Sequence, residues 1–239
     1  MKKRFVALLL IFPIAFTFLS GAKALARSYT TTFPATENPV SESGVWIGPA
    51  ASWTVVSTST GFAHGTQTHN APEEYYADSY AMLSGFGNDQ QVDMVVTIKA
   101  VAGEVEGLLR FSKSGNNTYG YECLFGPGGG MQLVSWDGPV GTFHSLAFGG
   151  LSGLSTGDTV RAKIVGNHIT MSLIRGGVEK VGLDFIDTEN NHPTGQPGMG
   201  FFASTGVSNT SFGISQYSAT DGNNEPFTPK DLKIINITR

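Results

Sequence analysis

The amino-acid sequence predicts an all-β fold of two packed antiparallel sheets, and three observations carry that expectation. Short runs in which β-branched and aromatic residues alternate with polar ones recur along the chain. Each run is bounded by Gly, Asn, Asp or Pro at hairpin spacing. No stretch carries the periodic apolar stripe of a convincing amphipathic helix.

The chain starts with the basic cluster Met1-Lys2-Lys3-Arg4, followed by an uncharged run from Phe5 to Leu19 and two small-x-small sites, Ala22-Lys23-Ala24 and Ala24-Leu25-Ala26. This is the order of a cleaved export signal over residues 1–26, with the mature chain beginning at Leu25 or Arg27. The apolar run of about 15 residues is short of the ~20 needed to span a bilayer, and Pro13 interrupts it. About 213 residues remain, enough for one domain to bury roughly 70% of its unfolded surface. Residues 27–221 are read as that domain, and 222–239 as a tail or an edge strand.

The clearest strand is Gln91–Lys99, where Val92, Met94, Val96 and Ile98 share one face and Asp93 and Thr97 the other. The same alternation returns at Leu109 and Phe111; at Tyr119, Tyr121, Cys123 and Phe125; at Val160, Ala162 and Ile164; and at Ile169, Met171 and Leu173. Gly166-Asn167 joins the last two as a tight hairpin, since both residues tolerate positive φ. Ser114–Asn117 and Gly126–Gly130 turn two earlier hairpins. Further strands are expected at Ser52–Ser57, Tyr80–Leu83, Met131–Trp136, Thr142–Ala147, Val178–Phe185, Gly198–Ala203 and Thr210–Ser218. A dozen short strands with such turns suit a sandwich.

Charged residues make up 14% of the chain, the formal net charge is −4, and no basic run exists outside the signal. Nucleic acid and anionic membrane surfaces therefore have no electrostatic footprint to grip. Cys123 is the only cysteine, so no internal disulfide forms and the core holds by packing. Its place in the apolar phase of its strand predicts a buried, unreactive thiol.

Several segments together resemble a known superfamily. They are Trp46 and Trp53 after Phe33; Phe86-Gly87-Asn88-Asp89-Gln90-Gln91-Val92; Gly107-Leu108-Leu109-Arg110-Phe111; Gly157-Asp158-Thr159-Val160-Arg161 leading to Gly166-Asn167-His168-Ile169-Thr170; and Gly195-Gln196-Pro197-Gly198-Met199-Gly200. In order and content they are similar to the concanavalin A-like lectin/glucanase superfamily, in particular the laminin-G-like jelly rolls of secreted bacterial proteins, over roughly Tyr29 to Asp221. The resemblance implies a two-sheet antiparallel jelly-roll sandwich. It leaves function to the site, because the superfamily holds glycan-binding modules, glycoside hydrolases, polysaccharide lyases and adhesion domains.

Laminarinase-type members carry Glu-x-Asp-x-x-Glu on one strand, and this chain lacks it. Glu104-Val105-Glu106 is the nearest approach and, between Gly103 and Gly107, reads as a turn into the next strand. The Arg/Glu/Arg strand, Gln-x-His element and Tyr-rich C-terminal strand of alginate-lyase-like members are not intact either. No catalytic residue is assigned. His64 and His69 share a loop with Glu73, Glu74 and Asp78, without the spacing of a zinc site. His144 and His168 read as surface hydrogen-bonding groups. The resemblance also admits a structural calcium, with Glu37, Asn38, Asp158 and Asp221 as conceivable ligands; no contiguous Asp/Asn loop supports it, and no cofactor or metal is assigned.

Strand phase places a candidate ligand patch. With Leu109 and Phe111 pointing into the core, Arg110 points out, a hairpin at Gly115 sets it opposite Gly120, and Glu122 lies diagonal to it. A second hairpin near Gly128 brings Trp136 opposite Gly120. Gly120 then leaves a shallow depression between an indole that can stack on a sugar and an Arg110–Glu122 pair that can grip hydroxyls. The competing interpretation is a cross-strand surface ion pair with Trp136 covering a sheet edge. The functional expectation is an exported, non-catalytic glycan-binding or adhesion module, found in the periplasm, at the cell surface or in the medium. A glycan-cleaving enzyme and a structural matrix component are the alternatives.

Overall fold

The computed structural model describes residues 26–68, 77–100 and 102–222. Two antiparallel sheets pack face to face, and every strand named below follows chain order. One sheet contains β1 (Ser28–Thr31), β2 (Ser57–Ser59), β3 (Phe62–His64), β5 (Gln90–Ile98), β10 (Thr159–Val165), β11 (His168–Arg175), β12 (Val178–Ile186) and β14 (Phe212–Thr220). Its order is β12-β11-β10-β5-β14-β3-β2, with β1 also paired to β14. The other contains β4 (Ser79–Met82), β6 (Glu104–Ser114), β7 (Asn117–Phe125), β8 (Gly130–Gly138), β9 (Phe143–Gly150) and β13 (Gln196–Phe202), in the order β4-β13-β6-β7-β8-β9. No helix among the described residues is long and apolar enough to cross a membrane.

Alternation drives the packing. Val92, Met94 and Val96 on β5 and Val160, Ala162 and Ile164 on β10 meet Val105, Leu109, Tyr121, Cys123 and Phe125 across the inter-sheet core. Cys123 is fully buried and its thiol pKa is pushed up, by burial first and then by the neighbouring Glu122. On the outer face of the first sheet, Asp93 is held by Arg161 Nε at 2.7 Å and Nη2 at 2.8 Å, and Glu179 takes Arg161 Nη1 at 2.7 Å. The hairpins form as expected. Val165 pairs with His168 across Gly166-Asn167, Ser114 with Asn117 across Gly115-Asn116, and Phe125 with Met131 across the glycine-rich loop.

Two local expectations change. The strand expected at Ser52–Ser57 is mostly a crossing segment in which Thr54 bridges Ser79, and only Ser57–Ser59 joins a sheet. Leu109 and Phe111, expected on one face, point to opposite faces. Leu109 sits in the inter-sheet core, whereas Phe111 joins Leu108, Tyr80, Val134 and Trp136 in a second cluster on the outer face of the six-stranded sheet, under Ala50 and Trp53. The cause is a bulge. β6 advances from Leu109 to Ser112 while β7 retreats only from Tyr121 to Tyr119, and Arg110 takes a φ of 50°. Two residues of β6 thus oppose Gly120. A Cβ on Gly120, whose φ is 137°, would lie 2.7 Å from Phe111 Cα and 2.8 Å from the Arg110 carbonyl oxygen.

Candidate functional site

The bulge separates the members of the expected patch. The Arg110 side chain is buried and leaves the outer face: Nε donates to Asn88 O at 2.7 Å, Nη1 to His192 O at 3.2 Å and Nη2 to Gly166 O at 2.5 Å, in the turn between β10 and β11. Its nearest carboxylate is that of Asp89 at 3.8 Å, and no Arg110–Glu122 pair forms. Gly120 does pair with Trp136 as expected, but Phe111 fills the depression and Trp136 is only 2% exposed, so no open indole platform exists there. The indole packs edge-on to Trp53, with ring centroids 4.4 Å apart, and donates from Nε1 to Glu122 Oε2 at 2.6 Å.

That bond leads to a site the sequence reading missed. Glu104-Val105-Glu106 is the start of β6 rather than a turn, so its glutamates share the outer face with Leu108 while Val105 enters the core. In the ladder Glu106 opposes Leu124 and Leu108 opposes Glu122, which makes Glu106 and Glu122 diagonal neighbours. Asp78, one residue before β4 and two before outer-facing Tyr80, completes the set. Asp78, Glu106 and Glu122 each bring a carboxylate oxygen within 4.8 Å of the others. All three are buried, and Glu106 is 1% exposed. Half-buried Glu104 is the solvent-facing end of this acidic row.

Glycine makes the room. Gly200 on β13 opposes Glu106, and a Cβ there would overlap the Glu106 carboxylate. Gln67 Nε2 donates to Asp78 Oδ1 at 3.3 Å, and Trp136 caps Glu122, but the buried Glu106 Oε1 has no hydrogen-bond partner. No Lys or Arg among the described residues forms an ion pair with the set. Burial first, then repulsion from neighbouring carboxylates, raises Asp78 and Glu106 well above the usual carboxylate range; burial raises Glu122 to about 8, with its Trp136 bond acting the other way and Glu104 adding to the rise. Burial alone raises Glu104 to about 7. Such a cluster holds protons, hydroxyl donors or a hard cation, all of which relieve the same repulsion. The expected patch held Glu122 as its one carboxylate, and the structure brings Asp78 and Glu106 to it. The signal was the Glu-x-Glu spacing, which on a strand puts both side chains on one face.

The other polar groups are occupied by the fold. Glu37 accepts from the amides of Ser41 and Glu42 at 2.9 Å, Asp158 from Arg175 Nε at 2.8 Å, and Asp221 from Gly87 N at 2.6 Å, so these three conceivable calcium ligands are committed separately. His144 and His168 bond Asp137 and Asp184, each at 2.8 Å, as surface groups do. His69, Glu73 and Glu74 lie outside the described residues, as does the tail beyond residue 222. Buried His192, which the sequence reading passed over, meets Ser135 Oγ at 2.7 Å and Asp137 Oδ1 at 3.4 Å. Both contacts use Nε2, an arrangement unlike a nucleophile triad, where the carboxylate orients the other ring nitrogen.

No family model matches the chain, and no curated protein matches it. Solved structures do. The metal-free exoplasmic/lumenal domain of VIP36 superposes with a TM-score of 0.54 at 11% identity, over 82% of this chain and 95% of that one. Its Ca2+/Man3GlcNAc-bound form gives 0.53 at 12% identity, over 84% and 93%. The GH43 protein BlXynB from Bacillus licheniformis, a K247S mutant, gives 0.52 at 13% identity, over 80% of this chain and 38% of that one. The all-β sandwich described above is a concanavalin A-like, legume-lectin-type jelly roll. At these identities the likeness concerns the fold.

Proposed function

We propose that this chain is an exported glycan-binding protein of lectin-like fold, with the outer face of its six-stranded sheet as the binding face. One observation carries the reading: three buried carboxylates converge there, one of them bonded to an indole that packs on a second, and Glu106 Oε1 lacks a partner. An unsatisfied buried acceptor costs about 1–3 kcal/mol, and sugar hydroxyls are donors of the right kind to relieve it. Half-buried Glu104 is the part of the row a glycan meets, buried Glu122 and Trp136 line the proposed site from beneath, Gly120 supports it by admitting Phe111, and Arg110 acts from behind as a framework residue. The jelly roll also carries Man3GlcNAc in the VIP36 domain, which agrees with a sugar-binding use of the fold. Export rests on the N-terminal sequence alone, and places the mature protein in the periplasm, at the cell surface or in the medium.

Glycan cleavage is the second reading, and the carboxylate set favours it. Retaining hydrolysis needs two carboxyl groups about 5–5.5 Å apart, one of them kept protonated near neutral pH. A glycan array on the mature protein, followed by reducing-end and unsaturated-product assays on every hit, separates the two. Binding without product, weakened by Glu104→Gln, supports the first reading; steady product release, abolished by Glu122→Gln, supports the second. Absence of any hit would sink both.

A further inference from the structure

The carboxylate set has a charge problem whether or not a glycan ever reaches it. Asp78, Glu106 and Glu122 are buried on the face that carries Trp53, Tyr80 and Trp136, with no cation among the described residues to pair with them. Evolution of a merely structural face would be served by apolar residues of similar size, since unpaired buried charge is costly. Here the neighbouring strand instead carries a glycine, Gly200, whose missing side chain makes space for the Glu106 carboxylate. Glu106 is nine-tenths buried and more, one of its carboxylate oxygens lies within 4.8 Å of those of Asp78 and Glu122, and its Oε1 has no donor. A group so placed has spare lone pairs and a ready-made negative enclosure around them.

We propose that Asp78, Glu106 and Glu122 form a binding site for one divalent cation of calcium size. The donors are all carboxylate oxygens, the chemistry of a hard cation and not of zinc or copper. The three oxygens lie within 4.8 Å of one another, so one ion can reach all three. Calcium is favoured over magnesium because it takes flexible carboxylate coordination, whereas magnesium demands near-ideal octahedral geometry and sheds its waters reluctantly. Trp136 Nε1, already bonded to Glu122 Oε2, orients that carboxylate from outside, as partners of metal ligands do. Water or a ligand hydroxyl would complete the coordination.

The test uses the mature chain from an exporting host, stripped with chelator and returned to calcium-free buffer. Titration calorimetry with calcium chloride should give one site per chain, with affinity in the ~10⁻⁵–10⁻³ M range of sensor and extracellular sites. About 10 mM calcium should raise Tm by about 3–10 °C, and the same magnesium concentration by far less. Terbium, a calcium surrogate, should luminesce on tryptophan excitation because Trp136 touches a ligand, and calcium should quench the signal. Asp78→Asn and Glu106→Gln should each abolish the calcium response while melting, without calcium, at or above the wild-type temperature, since a neutral amide carries none of the cost of ionising a carboxyl in this enclosure. That last readout shows the variants are folded. No saturable calcium binding, equal preference for magnesium, or retained binding in both variants would overturn the proposal. These outcomes do not depend on any glycan, so the cation site stands or falls apart from the proposed function.

Discussion

Replacing Arg110 by alanine should cost the fold far more than it costs any ligand. The guanidinium makes three bonds to the carbonyl oxygens of Asn88, His192 and Gly166, while the backbone amide of the same residue is held by Gln90 Oε1 at 2.8 Å. The residue is 3% exposed, so the abandoned carbonyls would be poorly hydrated. A bond from a charged donor is worth about 1.5–3 kcal/mol, and three that share one side chain are not additive. The expected loss is therefore about 3–6 kcal/mol, a large part of the 5–15 kcal/mol that holds an ordinary domain together. Arg110→Lys, which restores the charge but not the planar fork, should recover about half. Urea unfolding followed by tryptophan fluorescence measures both, and the midpoint should drop with little change in slope. A loss under about 1 kcal/mol would refute the argument that Arg110 ties the β6 bulge to three loops. Weakened glycan affinity in a fully folded Arg110→Ala protein would restore it to the binding face.

The acidic row sets a pH dependence of opposite sign to ordinary acid denaturation. Glu122 titrates at about 8 in the folded chain against 4.5 as its ordinary value, so the folded state holds the extra proton between them. In chelator, stability should fall as pH rises from 5 to 8, by about 3–4 kcal/mol for one such proton, and Glu122→Gln should flatten the slope. A wild-type curve parallel to that of the variant would contradict it. Asp158, held low chiefly by its hydrogen bond from Arg175, contributes stability that is fully present above the ordinary carboxylate range and is lost as pH falls through and below it. Gly120→Ala should destabilise by several kcal/mol, because φ is 137° and the new methyl would stand 2.5 Å from Phe111 Cδ2; a near-neutral change would disprove the bulge. Cys123 should resist thiol reagents in the native protein and react after denaturation, and rapid native labelling would show its strand phase to be wrong. N-terminal sequencing of exported protein should read Leu25 or Arg27, and a membrane-held chain beginning at Met1 would remove the export signal from the account.

Alternation along single strands made much of the fold legible in the sequence. Val92, Met94 and Val96, Tyr121 with Cys123 and Phe125, and the Gly166-Asn167 turn all sit where their spacing put them, because side-chain direction within a strand and the backbone demands of a two-residue turn are local properties. Locality also set the limit. One extra residue in β6 reverses the phase beyond it, and nothing in Leu108-Leu109-Arg110-Phe111 announces a bulge that depends on Gly120 in the next strand and on carbonyls from three distant loops. The short strands β1 and β3 escaped notice for a related reason, since three or four residues carry little period and owe their place to pairing with β14. Glu122 was visible as a strand residue facing away from the core, whereas Glu106 read as part of a turn. That they meet each other and Asp78 over a glycine was decided by the order β4-β13-β6-β7, which juxtaposes segments far apart in the chain. The sequence by itself determined which residues alternate, where the hairpins turn and that no disulfide is available. Only the tertiary structure decided which carboxylates share one enclosure, because register and strand order are properties of pairs of strands, set by how both faces of the sheet are buried.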